Sequence, residues 1–135
     1  MQYRPNAKDL LIAIQDFLMK DLLPKLENEE LLSYKALVSW NMLGVISREW
    51  EKEESFVDSE IQSLTSLSEL QSELIKLESN SMGNIEKSRF LSEQYAHLAK
   101  LIREKKIDDC HSEIWKITKN HLKNNLSISN PRFGI

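Results

Sequence analysis

The sequence holds one cysteine, Cys110, so no disulfide can close within the chain, and this usage fits a reducing compartment. Glycine and proline are scarce, three of each, which disfavours a β-rich fold with its many tight turns. The glycines Gly44, Gly83 and Gly134 stand alone, so neither a phosphate-cradling P-loop nor a dinucleotide fingerprint can be written. No apolar run approaches the ~20 residues that a bilayer span needs. The opening segment is broken by Lys8, Asp9, Gln15 and Asp16 and has no signal-peptide core, so a cytoplasmic location is expected. A positive excess is missing too. The net charge of −3 gives no pull toward nucleic acid.

What is present suits helices. At 135 residues, 41% hydrophobic and 29% charged, the composition is that of one globular domain over residues 1–135, long enough to bury a core. Asn6, with Asp9 three residues on, opens a first helix whose stripe is Leu11, Ile14, Leu18 and Leu22. Pro24 ends or kinks it. Asn28, Glu29 and Glu30 open a second helix that is apolar nearly all round from Leu31 to Trp50. A helix without a polar face is normally surrounded by others, so Leu37, Val38, Val45 and Ile46 are expected to be nearly inaccessible. A third stripe follows at Val57, Ile61, Leu64, Leu67, Leu70, Leu74 and Leu77, with a break near Ser66 and a loop over 78–84. A fourth helix over about 85–105 uses Leu91, Tyr95, Leu98 and Ile102. Asp108 or Asp109 opens a fifth, carrying Ile114, Ile117, Thr118 and Leu122, which cannot pass Asn130. The expected fold is all-α, a single-domain bundle of about five helices around an apolar central helix at about 29–53.

Chemistry-bearing patterns are thin. Carboxylate-bridged di-metal centres in bundles need Glu-x-x-His pairs, and none of the glutamates has a histidine three residues later. Glu93 and His97 are one residue too wide. The run Asp108-Asp109-Cys110-His111, read as a helix start, points its side chains in different directions; the expectation is an acidic helix N-terminus, a small buried Cys110, no metal and no cofactor. Glu49, Glu51, Glu53, Glu54, Asp58 and Glu60 read as a solvated helix surface. Within the apolar second helix, Tyr34, Asn41 and Arg48 lie seven apart, on one stripe with Leu37 and Gly44. They read either as a satisfied polar seam or as the wall of a ligand or partner face. Gly44 itself points to close helix packing.

Several stretches carry a resemblance. Arg4-Pro5, Asp9-Leu10-Leu11, Phe17-Leu18, Leu23-Pro24-Lys25-Leu26, the run from Tyr34 to Asn41 and on to Arg48-Glu49, Leu101-Ile102-Arg103 and Asn130-Pro131-Arg132-Phe133 together resemble a bacterial all-helical family of unknown function. The resemblance implies genomic neighbours that are acyl-CoA dehydrogenases and kinases similar to aminoglycoside phosphotransferases. It assigns no catalytic residue. Where the family pattern has Ala, this chain has Trp40. The closing segment, with Arg132 and Phe133, is expected to fold back on the bundle.

Two classes of function remain at this level. One is a non-enzymatic accessory domain that binds a protein partner, with a homo-oligomer open and with neither nucleic acid nor membrane as partner. The other is a binder of a small carboxylate or phosphate, or an enzyme acting on one, in a groove beside Asn41 and Arg48, where an arginine can clamp the anion in bidentate fashion. The candidate face residues are Tyr34, Asn41, Arg48 and Arg132; no catalytic residue is assigned.

Overall fold

A computed structural model describes residues 5–67 and 83–133, with Phe133 described in its backbone alone. Every regular element among them is helical: α1 (Ala7–Asp16), α2 (Glu30–Thr65), α3 (Asn84–Glu104) and α4 (Glu113–Ser129). There are thus four α-helices among the described residues where about five are expected, and the first part of the third expected helix, from Val57 to Leu64, continues the second. Nothing between Trp50 and Val57 breaks a helix: the stretch is Glu, Lys, Ser and Phe, without glycine or proline. The break near Ser66 is real, since α2 stops at Thr65.

Helix ends follow local hydrogen bonding. Asn6 accepts from the Asp9 amide at 2.9 Å while the Asp9 carboxylate takes the Asn6 amide at 3.1 Å, a full capping box. After α1 the chain widens into a π-turn over Phe17–Leu22 and then tightens into a 3₁₀ turn over Leu23–Leu26. Pro24 explains both. It has no amide to donate, and in a regular helix its ring would press on the carbonyl of Lys20. At the far end of α3, Lys106 adopts φ 50° and the Ile107 amide reaches back to the Ile102 carbonyl at 3.0 Å. This is a Schellman closure, with Ile107 half-buried at the position that carries its apolar contact. The cap of α4 is Ser112, which accepts from the Trp115 amide at 3.2 Å. Asp108 and Asp109 therefore precede the helix and do not open it. Asn130 ends α4, as expected, and Pro131–Phe133 forms one 3₁₀ turn with Arg132 exposed. The expected packing of Phe133, and the stripe positions Leu70, Leu74 and Leu77 with most of the 78–84 loop, lie outside the described residues.

The chain divides into two compact units, residues 1–51 and 52–135. In the second, Ile61, Leu64 and Leu67 meet Phe90, Leu91, Leu98 and Leu101 of α3 and Ile114 of α4, with Val57, Tyr95 and Ile117 around them. In the first, α1 runs antiparallel to the beginning of α2. Lys8 pairs with Glu51 at 3.1 Å, and further along α1 the Gln15 amide donates to the Trp40 carbonyl at 3.0 Å. Ala36 is the buried apolar side chain of this unit among the described residues.

That pairing overturns the expectation of a central helix over 29–53. Leu37, Val38 and Ile46 are exposed and Val45 is only half-buried. The helix has one helical neighbour in its own unit, α1, which approaches Gly44 through Gln15. A Cβ at Gly44 would stand 3.1 Å from Arg48 Nη1 and 3.2 Å from Gln15 Nε2, so the close packing expected there is present.

Candidate functional site

The most developed polar arrangement lies in the second unit and is centred on Glu60. The acidic run ends with this residue turned inward, which corrects its reading as a solvated surface. Glu60 is 6% exposed, because it stands three residues after Val57 and four before Leu64, in the register of the core-facing stripe. From α4, His121 places Nδ1 2.7 Å from Glu60 Oε2, and Asn124 donates to Oε1 at 3.0 Å. From α3, the Tyr95 hydroxyl donates to Oε2 at 3.3 Å. The Tyr95 and His121 rings stack with centroids 3.9 Å apart. When His121 carries its proton on Nδ1, Nε2 is the acceptor for the Asn125 amide, 3.0 Å away. Burial, and then the charge of Glu60 and its hydrogen bond, push the Tyr95 phenol far above its usual range.

Chemically, this is a clamp. One buried carboxylate accepts from three side chains on two neighbouring helices, and both nitrogens of His121 are engaged within the protein. A buried carboxylate left alone would be costly, so the three partners fix the registers of α2, α3 and α4 against one another. The missed signal was positional. His121 and Asn124 follow Ile114 and Ile117 at helical spacing, and that is the inward stripe of α4; Leu122, expected on it, is 55% exposed. Nearby on α3, Gln94 Oε1 and His97 Nε2 are buried with no partner among the described residues.

The stretch Asp108–His111 departs from expectation. It is a turn and not a helix start, so Cys110 is exposed and not buried. The turn also brings ligand-type atoms of Asp109, Cys110 and His111 within 4.8 Å of one another, which the helical reading excluded. All three are exposed. His111 Nδ1 lies 3.5 Å from Cys110 Sγ, and the His111 amide donates to Asp109 at 2.8 Å.

The candidate face on α2 lies in the first unit. Tyr34 is 65% exposed and Asn41 is exposed, whereas Arg48 is half-buried with its guanidinium over Gly44. Arg132 belongs to the second unit. Around Tyr34 and Asn41 the surface is apolar. Thirteen of the sixteen large hydrophobic residues exposed among the described residues lie between Leu10 and Trp50, including Phe17 at 53%, Leu31 at 65%, Met42 at 58% and Trp50 at 73%. Residues Leu10 and Ile14 share one side of α1, and Phe17, the first residue after it, continues the spacing.

These features define an all-α protein in which a packed helical unit, locked by a buried carboxylate, is joined to a helical hairpin with uncovered apolar faces. No helix among the described residues is long and apolar enough to cross a membrane. The chain belongs to the family described as Domain of unknown function (DUF6285), whose model matches residues 24–133. No curated protein matches it, and no solved structure does.

Proposed function

We propose that this chain is a non-enzymatic interaction domain that docks through the apolar surface of its first unit. The observation that carries the reading is the concentration of exposed apolar side chains on α1 and on α2 up to Trp50. Isolated exposed hydrophobics are ordinary, but a contiguous apolar surface on a soluble fold marks a contact site. The surface is composed as contact sites are. Its aromatics Phe17, Tyr34 and Trp50 and its methionines Met19 and Met42 are residue types enriched at interfaces. Enzymes of acyl-CoA metabolism and of small-molecule phosphorylation, the classes implied by the resemblance, are the partners to assay first.

The test is photo-crosslinking in living cells with a benzophenone amino acid in place of Phe17. A discrete crosslinked protein species is expected, absent when the same probe replaces exposed Lys119 on α4. An adduct pattern no different between the two positions would overturn the reading.

A further inference from the structure

The side of α2 turned away from α1 has an internal symmetry. Lys35, Val38, Met42, Ile46 and Glu49 follow one another at spacings of three and four, so they share a face. Met42 stands in the middle. Val38 lies four residues before it and Ile46 four after; Lys35 lies seven before and Glu49 seven after. Val38, Met42 and Ile46 are 38%, 58% and 46% exposed, and the charged ends are exposed as well. Read from either end, the stripe is charge, apolar, apolar, apolar, charge, and the two charges are opposite.

Such a stripe is complementary to itself when reversed. Two copies of α2 laid antiparallel, with a two-fold axis at Met42, put Lys35 of each against Glu49 of the other and Val38 against Ile46. This is the isologous pattern that a two-fold dimer requires, residue i on j and j on i. The parallel arrangement would set like charges side by side, which is unfavourable. We infer that the partner of this face is a second copy of the chain, joined through antiparallel α2 helices crossing at Met42. The inference rests on the reading of the first unit as a docking surface and names its occupant.

The area is sufficient. At about 200 Å² for a large side chain, Leu31, Tyr34, Val38, Met42 and Ile46 expose on the order of 500 Å² per copy, and with the polar border this approaches the ~800 Å² per partner of a standard interface. The first unit also needs a second layer. A helical hairpin holding one buried apolar side chain among the described residues is short of the two packed layers that make a core. A second α2, packed on the side turned away from α1, supplies it.

The experiment is sedimentation velocity on the purified full chain from low micromolar to several hundred micromolar, with circular dichroism on each variant. The wild type is expected to sediment as a dimer within that range. Lys35→Glu and Glu49→Lys should each weaken dimerisation at least tenfold, and the double reversal should restore it. Met42→Glu should give a monomer of unchanged helicity. A monomer at every concentration, a dimer indifferent to Met42→Glu, or a double reversal that fails to rescue would each overturn the inference. If the chain is monomeric and the Phe17 crosslink still captures another protein, the docking reading survives and the second copy falls. If the crosslink is lost as well, both fall.

Discussion

The two units use similar side chains to opposite ends. In residues 52–135, leucine and isoleucine from three helices converge, and Leu64, Leu67 and Leu98 are 1–2% exposed. In residues 1–51, an even more apolar segment keeps most of its large side chains in contact with solvent. Composition does not produce this difference; the number of helical neighbours does. A leucine on a helix with two packed neighbours has somewhere to go on most of its circumference. One on a hairpin has a single stripe, and in the first unit Leu11, Leu18, Trp40 and Leu43 on that stripe reach only half-burial while Ala36 is buried.

The contrast can be broken most directly at the core. Leu98→Ala should leave a cavity and cost about 2–5 kcal/mol, whereas Ile12→Ala, at a side chain 46% exposed, should cost less than about 1 kcal/mol. Denaturant unfolding of both variants measures it, and equal losses would erase the distinction between the units. Next comes the clamp. Glu60→Ala strands Tyr95, His121 and Asn124, whose partner it is, and removing one member of a buried polar set of this kind costs about 3 kcal/mol. The loss should appear as lowered unfolding midpoints together with weakened tertiary signals from the second unit.

A smaller effect is expected at Tyr95→Phe, where one hydrogen bond worth about 1 kcal/mol disappears. The same residue sharpens the comparison through pH. Its folded-state pKa is raised, so its contribution is whole below the ordinary tyrosine value near ~10 and falls away as pH rises beyond it, where the unfolded chain releases a proton that the folded chain holds. In an ultraviolet titration Tyr95 should ionise only above the ordinary tyrosine range, and Tyr95→Phe should remove that step. The least change is expected at Gly44→Ala. The gain in helix propensity of about 1 kcal/mol is offset by contacts of 3.1 and 3.2 Å with the ends of Arg48 and Gln15, both flexible side chains. The net shift should stay within roughly 0.5 kcal/mol, read from thermal unfolding.

Much of the helical outline was legible because it depends on near neighbours. The Asn6–Asp9 box, the stop at Ser66, the span of α3 and the stop at Asn130 are all local chemistry, and each is where the sequence placed it. Burial was less legible. A helix apolar all round is consistent with being surrounded or with being left open for a partner, and the residues from Leu31 to Trp50 do not distinguish these. The Glu60 clamp was hidden differently. Its members are 26 or more residues apart between helices, and Glu60 is the last of a run of acids that otherwise face water. Register alone sets it apart, through the stripe at Val57, Ile61 and Leu64, and the partners that satisfy it lie on other helices. The cysteine turn failed for the complementary reason: two aspartates look like a helix start, but the cap is Ser112.

The π-turn before Pro24 has a consequence for how this segment tolerates insertion and deletion. In the π-turn an amide reaches five residues back instead of four, as the Leu23 amide does to the Leu18 carbonyl, so the turn holds one residue more than an α-turn. It works as a phase adjuster between two lengths of helix. The wider loop takes up that extra residue, so α1 keeps the phase of an unbroken helix one residue shorter. In phase, losing one residue from Phe17–Leu22 would restore ordinary winding and leave Gln15 facing the Trp40 carbonyl. A second loss has no wide turn to absorb it. It would turn α1 by about 100° and swing Gln15 away. The stretch therefore has slack for one deletion and none for two.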